Sequence, residues 1–585
     1  MSNEKCRDFD EITSFLGDYG CFQILIIVLL SLSTIPCGYM AFLAVYITYT
    51  PAHHCKAWVN STPYDLNGVT SFPERSTEAG TTGSCSRYQV QDANWTDTIK
   101  LGNGTDPCLD GWVFSTERYT IVSEWELVCE NAWKIPFSTS VFYVGVLFGT
   151  FISGQLSDRF GRKLVLYATV ALHSITALIQ ATSVNWLMFC VLNCVRGTGQ
   201  VSSYLASLVL GSEMLCPSVR VSYTLLGHSL GFGIGYALLP LFAYFLRGWR
   251  WLLVASAIPG LLWLLTWRVI PESPRWLLLR GQVKEAEMVL RQAAKLNKIH
   301  APEVLFLPAE VSELMKKTGE KEQTYSCMDL MNTANLRNIT AIGLFIWIAV
   351  AMVFNGLSLN TSNLNGNIYL TCLMSAATDI VAYVFSWLLF NRVPRPTLLF
   401  VTLMFCGTML LVIKLIPQDM HVTFQVLVLL GKMGVAIAYC FTYLVFAELF
   451  PTVVRNTGMG FLSSSARIGA IICPYVIHIG KCAFVNLYII TQSLCIYILH
   501  DHCALHVIFY FSQSKNIYFA GIYSKILPYI IFGAFSIVAA LLSLLLPDTR
   551  NNKLPDLISE AKSIRSCCTP KKTLAAAQKA THSQA

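Results

Sequence analysis

Charged residues are scarce in this chain. Asp, Glu, Lys and Arg make up 13% of its 585 residues, against 54% hydrophobic, and the mean hydropathy is +0.52. Soluble globular domains carry about 25% charged residues, so that class is excluded. Enzyme signatures are missing as well. There is no nucleophile elbow, and Gly211-Ser212-Glu213-Met214-Leu215-Cys216-Pro217-Ser218 lacks the lysine of a phosphate loop. The His500-Asp501-His502-Cys503 cluster fits no structural zinc spacing. A cleavable signal peptide is not expected, because the N-terminus is acidic and amphipathic and the first apolar run is too long for an h-region. These absences leave no enzyme, metal or organic cofactor to expect.

What is present is a succession of apolar runs, each near the length of about 20 residues that crosses a bilayer. They predict twelve spans, at about 21–49, 137–155, 164–184, 186–210, 221–246, 250–270, 337–358, 368–390, 396–416, 422–447, 456–479 and 526–547. Short loops set orientation through their Lys and Arg. Arg159, Arg162 and Lys163 follow span two and Arg392 and Arg395 follow span eight. The loop after span six and the tail, with Lys571 and Lys572, fall on the same side. Both termini are therefore expected in the cytoplasm. The net charge of +8 is a matter of loop orientation and implies no nucleic-acid partner.

The two halves repeat each other. Asp158-Arg159-Phe160-Gly161-Arg162-Lys163 is followed about fifty residues on by Glu213, then Arg220; Asn391-Arg392-Val393-Pro394-Arg395 is followed by Glu448, then Arg455. Arg159 to Arg392 and Glu213 to Glu448 share an offset of about 234 residues. Parallel six-span repeats with a solute site at the midplane between them are a common design of secondary transporters. Asp158, Arg159, Arg162, Glu213, Arg220, Glu448 and Arg455 are read as charge networks tying the two bundles at the inner face, made in one state and broken in the other.

The segment 50–136 then lies outside. Asn60-Ser61-Thr62, Asn94-Trp95-Thr96 and Asn103-Gly104-Thr105 are glycosylation sequons, and Cys55, Cys85, Cys108 and Cys129 are an even set suited to disulfides, with connectivity open. The organisation predicted is an N-terminus (1–20), a six-span bundle (21–271) with the extracellular loop 50–136, a cytoplasmic loop (272–336), a second bundle (337–547) and a cytoplasmic tail (548–585). In the loop 272–336, Lys284, Glu285, Glu287 and Arg291 surround Ala286, Val289 and Leu290 at amphipathic helical spacing. This loop and the tail are candidate contacts for cytoplasmic regulators.

Several motifs are familiar together. Arg7-Asp8-Phe9-Asp10-Glu11, Cys108-Leu109-Asp110-Gly111-Trp112, Gly154-Gln155-Leu156-Ser157-Asp158-Arg159-Phe160-Gly161-Arg162, Pro271-Glu272-Ser273-Pro274-Arg275-Trp276 and Ala447-Glu448-Leu449-Phe450-Pro451-Thr452 closely resemble the organic ion transporter family of the major facilitator superfamily. Gly235-Tyr236, Leu239-Pro240-Leu241-Phe242-Ala243-Tyr244 and Ser465-Ala466-Arg467-Ile468-Gly469 resemble its organic cation/carnitine branch. The resemblance implies an all-α polytopic membrane protein with the twelve-helix major facilitator fold: two six-helix pseudo-repeats and a large glycosylated extracellular loop between spans one and two. It also implies transport of small organic cations or zwitterions such as carnitine across the plasma membrane, coupled, if at all, to sodium or a proton. An organic anion carrier and a transport-defective isoform are the alternatives. The chain departs from the branch at Cys37 after Pro36 and at Ser203 before Tyr204, where the branch carries Asn, and at Phe354-Asn355, where it carries an aromatic pair.

Ionisable residues inside spans are candidates for function. Arg467 stands about eleven residues into span eleven, near the midplane at 1.5 Å per residue, and its planar fork suits a carboxylate. Tyr443, Tyr236 and Tyr204 are candidate aromatic faces for a substrate cation. Asp379, mid-span eight, is a candidate to hold the cationic end, to balance Arg467 or to bind the coupling ion. Arg196 is read as structural, and Lys432 and His228 as lesser candidates.

One stretch has no repeat partner. The insert at about 481–524 separates Pro474-Tyr475-Val476 from Lys525-Ile526-Leu527-Pro528, where a short loop would serve. A single extra crossing there would send the basic tail outside and invert span twelve, so the insert is expected to be extracellular or interfacial, poorly ordered and dispensable. Deleting about 482–523 should preserve or raise surface delivery and uptake; a C-terminal epitope labelled on intact cells would contradict the reading.

Overall fold

The computed structural model describes residues 9–56, 58–59, 62–63, 85–90, 101–108, 110–306, 330–331, 333–364, 366–389, 392–417, 420–451, 454–479 and 517–547. Twelve long helices dominate. The first six are α1 (Cys21–Phe42, running on through Ala44–Ile47), α2 (Lys134–Phe160), α3 (Arg162–Ala181), α4 (Trp186–Met214), α5 (Ser229–Phe245) and α6 (Trp249–Trp263). The second six are α7 (Ala334–Leu359), α8 (Ile368–Leu389), α9 (Arg395–Val412), α10 (His421–Leu449), α11 (Arg455–Ile479) and α12 (Ile517–Ser543). A π-helical stretch, Tyr223–His228, leads into α5. There the altered register leaves the His228 carbonyl to accept a bond of 3.2 Å from Thr34 Oγ1 on α1.

Among the described residues, 11 helices are long and apolar enough to cross a membrane, and α4 is the long helix outside that set. Its polarity has a purpose. Asn193, Arg196, Gln200, Ser202 and Ser203 are all buried; all but Arg196, which bonds Asn193 on its own helix and lies over the Phe142 ring, bond to neighbouring helices. Asn193 Nδ2 donates to the Ser138 carbonyl (2.8 Å), Thr198 Oγ1 to that of Gly145 (3.0 Å) and Gln200 Nε2 to that of Cys37 (3.1 Å). Inside a bilayer such polar side chains join helices. The outward faces are apolar, with Val28, Phe151, Ile175, Leu262, Phe385 and Val401 exposed, as lipid contact requires.

Packing repeats as the sequence does. In the first half α4 packs on α1, α2 and α3, α5 on α1, and α6 on α1 and α3; in the second, α10 packs on α7, α8 and α9, α11 on α7, and α12 on α7 and α9. The halves join along two seams, α5 with α8 and α2 with α11, which are images of each other. Glycines permit the closest approaches. A Cβ on Gly235 of α5 would lie 2.1 Å from the Ile35 carbonyl oxygen on α1, and one on Gly469 of α11 would lie 2.3 Å from that of Ile348 on α7. These glycines are themselves separated by the repeat offset.

At one end of the bundle, here the loop face, disulfides join Cys55 to Cys108 and Cys85 to Cys129. His53–Cys55 pairs antiparallel with Trp112–Phe114, and Ser86–Val90 with Leu101–Pro107. Asn60 and Asn94 lie outside the described residues, and Asn103 falls in the strand Leu101–Pro107. At the other end, the terminal face, Phe9–Thr13 packs with Pro274–Leu279 and Val283–Leu296 around Phe9, Ile12, Leu277, Leu290 and Ala293. The amphipathic pattern of the loop after span six is thus a helix whose apolar stripe holds the N-terminal segment.

Residues 480–516, and with them most of the insert, lie outside the described residues, as does the tail from 548. Span twelve starts where predicted, at Ile526, within a helix that already runs from Ile517; a deletion limited to 482–516 spares that helix.

The close approaches generate a test. Gly235→Ala and Gly469→Ala should each destabilise the protein by about 1–3 kcal/mol or more through overpacking. Gly154→Ala and Gly460→Ala, with nothing within 4 Å of a new Cβ, should be tolerated. Thermal melting of purified variants would check this; equal melting of all four would contradict it.

Candidate functional site

Polar groups from both halves gather where the seams meet. Arg467, on α11, is half-buried. Its guanidinium interacts electrostatically with Tyr439 and Tyr443 on α10 and Tyr204 on α4, and bonds Tyr439. Tyr143 on α2 also lies near it and donates to Asn355 Oδ1 on α7 across 3.1 Å. The Nε of Arg467 is buried without a hydrogen-bond partner. Among the described residues no carboxylate forms an ion pair with it. A guanidinium held only by phenolic oxygens keeps its planar fork available to a carboxylate.

Aromatic rings surround this charge. Tyr439 and Tyr443 have centroids 6.0 Å apart, Trp347 meets Tyr443 edge-on at 4.4 Å, and Phe354 tilts against Tyr439 at 5.4 Å. From the first half, Tyr204 tilts against His228 at 4.2 Å and meets Phe232 edge-on at 5.9 Å. Arg467, Tyr443 and Tyr204 are therefore brought together, as one composite surface contributed by α4, α10 and α11.

Asp379 and Tyr236 sit in a second, fully buried cluster. Asp379 forms an ion pair of 2.9 Å with Lys432 on α10, and each side chain is 1% exposed. Lys432 Nζ also donates to Ser375 Oγ and lies 4.6 Å from the centroid of Tyr236. Tyr236 donates across the seam to Ser375 Oγ at 3.2 Å. The counter-ion of Asp379 is thus Lys432 and not Arg467. Both charges are in low dielectric, where each needs the other; losing one would leave the other stranded.

At the terminal face the charge motifs form matched pairs. Arg162, the first residue of α3, binds Glu213 near the end of α4 (3.1 Å) and Asp158 (2.8 Å). Arg395, the first residue of α9, binds Glu448 near the end of α10. Arg220 donates to the Leu215 carbonyl (3.2 Å) and pairs with Asp10 (3.1 Å); Arg455 donates to the Phe450 carbonyl (3.4 Å). Glu272 closes the motif by accepting from the backbone of Arg162 and Lys163, both at 3.0 Å. Each of these pairs stays within its own half in this state. Glu448 pairs with Arg395 rather than with Arg455, because the loop after α8 delivers Arg395 to the end of α10. Arg159 lies over the Phe160 ring at 5.4 Å.

The sequence pointed neither to Tyr439 and Tyr143 nor to Arg395 as the partner of Glu448, although Arg395 stands in the repeat motif. Arg395 was findable from its offset to Arg162. The tyrosines had no sequence signal among so many aromatics (12% Phe, Trp and Tyr). Two of the three departures from the branch pattern meet each other: Cys37 Sγ lies 3.3 Å from Ser203 Oγ.

Two pseudo-equivalent six-helix bundles around a central polar and aromatic site define a multi-pass membrane carrier rather than an enzyme. Residues 68–547 match the family described as "Sugar (and other) transporter". The chain is 40% identical over 575 residues to human organic cation/carnitine transporter 2, covering 95% of this chain and 94% of that protein. It is 39% identical over 579 residues to mouse solute carrier family 22 member 21, with the same coverage of 95% and 94%. In fold it is similar to the xylose transporter XylE from E. coli in an inward open conformation, with a TM-score of 0.60, 15% identity, and 92% and 100% of the two chains covered. The chain belongs to the sugar (and other) transporter family of the major facilitator superfamily, among the organic cation/carnitine transporters of solute carrier family 22. The relatives do not favour the organic-anion or transport-defective alternatives.

The terminal-face pairs carry a prediction. A partly exposed pair such as Arg395–Glu448 is worth on the order of 1 kcal/mol; if it is made in one state and broken in the other, that moves a two-state population about fivefold. Glu448→Gln and Asp158→Asn should reach the surface yet turn over more slowly, with altered cysteine accessibility from each face. Lost transport with unchanged accessibility would instead indicate direct substrate contact.

Proposed function

We propose that the chain carries a small organic cation or zwitterion such as carnitine across the plasma membrane by alternating access, with both termini in the cytoplasm and the loop face outside. The observation that carries this reading is Arg467: a guanidinium in the space between the halves, with no carboxylate paired to it among the described residues and with aromatic faces around it. A zwitterion supplies what the site lacks. Its carboxylate engages the Arg467 fork, and its ammonium rests on Tyr443, Tyr439 and Tyr204, where each cation–π contact contributes about 0.5–2 kcal/mol. Asp379, neutralised by Lys432, plays a structural part in this state, linked to the seam through Ser375 and Tyr236. The driving ion, if one is used, is sodium or a proton, and uptake under imposed sodium or pH gradients decides between them. Candidate partners besides the solute are the bilayer and cytoplasmic regulators of the 272–336 loop and tail.

The test is selective. Arg467→Lys keeps the charge and removes the bidentate fork, so uptake of labelled carnitine should fall at least about tenfold while uptake of tetraethylammonium falls less. Equal losses of both, at normal surface expression, would overturn the assignment.

A further inference from the structure

The loop face is closed by tyrosines gathered around one arginine. Arg118 lies in the loop segment that leads into α2, two residues before the Thr120 cap. Its guanidinium carbon is 4.3 Å from the ring centroid of Tyr369, 5.1 Å from Tyr46 and 5.9 Å from Tyr49. Tyr46 stacks on Tyr369 at 6.0 Å, and Tyr244 meets Tyr369 edge-on at 5.3 Å. Tyr369 comes from the first turn of α8 in the second half, and the other rings come from the first half. The cluster therefore closes the seam.

Arg118 is unusual for what it lacks. Among the described residues it has no ion-pair partner, and its Nη2 is buried without a hydrogen bond. Glu124, six residues on, is already engaged by Trp249 Nε1 and Arg250. Arginine ordinarily uses its fork on a carboxylate; here ring faces hold the charge, all within the ~6 Å reach of a cation–π contact. Ring faces ask for no hydrogen bond, so the same cage suits a quaternary ammonium, which has none to give. The segment bearing Arg118 is pinned to the first half, Tyr119 accepting from Trp249 N at 3.0 Å and donating to the Arg247 carbonyl at 3.2 Å. Parting of the halves on this face withdraws Tyr369 and loosens the hold on Arg118.

We propose that Tyr46, Tyr49 and Tyr369 form an extracellular entry site for small organic cations, in which a quaternary ammonium takes the place of the Arg118 guanidinium on its way to the central site. This rests on the reading that the loop face is extracellular and that the solute is cationic or zwitterionic. Arg118 acts as a resident surrogate cation that keeps the cage formed when no solute is present.

The test uses the full-length carrier in intact cells, with Arg118→Cys labelled from outside by a membrane-impermeant maleimide. Millimolar external tetramethylammonium should slow labelling about fivefold or more, and uncharged 3,3-dimethylbutanol, whose tert-butyl group has the shape of a trimethylammonium without its charge, should not. Tyr369→Phe in the same background should retain this protection, and Tyr369→Ala should abolish it. Should Tyr369→Ala fail to reach the surface, Tyr49→Ala takes its place with the same expectation. No protection, equal protection by 3,3-dimethylbutanol, or protection that survives loss of the ring would overturn the proposal. Uptake of tetramethylammonium by the wild-type chain, measured in parallel, separates the two readings. Protection without uptake keeps the entry site and refutes cation transport, whereas uptake without protection refutes the entry site alone.

Discussion

Inside a bilayer there is no water to satisfy a polar group, and this constraint shapes the whole molecule. Every charge or amide placed on a span must find its partner within the protein. Helix α4 meets the requirement by spending Asn193, Thr198 and Gln200 on bonds to α1 and α2. Asp379 and Lys432 meet it by neutralising each other. Arg467 meets it only in part, leaning on phenolic oxygens with one nitrogen unbonded. A partly satisfied charge is costly to keep where it has no use, and the aromatic rings around it come from both bundles. That is the physical reason for proposing the solute site there.

The same constraint separates what is rigid from what can move. Within a half, helices approach until backbone meets backbone, as at Gly235 against Ile35 and Gly469 against Ile348. Between halves the contacts are side-chain contacts: Tyr143 with Asn355, Ser140 with the Ile471 carbonyl, Tyr236 with Ser375. Close-packed backbone cannot slide without clashes, whereas single hydrogen bonds and stacked rings exchange at little cost. The halves are therefore built to move as bodies about the α5–α8 and α2–α11 seams. The terminal-face ion pairs fit this division, since Arg162–Glu213 and Arg395–Glu448 each brace a helix end inside one body.

Much of this was legible in the chain because the bilayer leaves few choices. Apolar runs of crossing length located the spans, and the offset between Arg159 and Arg392 disclosed the duplication. Glycines at that same offset then appear in equivalent contacts. The start of span twelve was legible as well, at Ile526, although its helix runs on from Ile517, because apolarity marks the crossing and not the helix end. The pairing of Glu448 with Arg395 instead of Arg455 was missed: both arginines lie near the end of α10, and only the path of the chain after α8 selects one.

The sequence by itself determined the number and order of the helices, the two-bundle repeat and the presence of unusual charges at Asp379, Lys432 and Arg467, since each follows from local composition and spacing. Which charges neutralise each other was decided by the tertiary structure alone. Asp379, Lys432 and Arg467 stand on three separate helices, α8, α10 and α11, and a rotation of any one about its axis would exchange the partners. Packing fixes those rotations. It turns Lys432 towards Asp379 and leaves Arg467 facing Tyr439, Tyr443 and Tyr204, and so it alone decides which buried charge is balanced and which remains open to a solute.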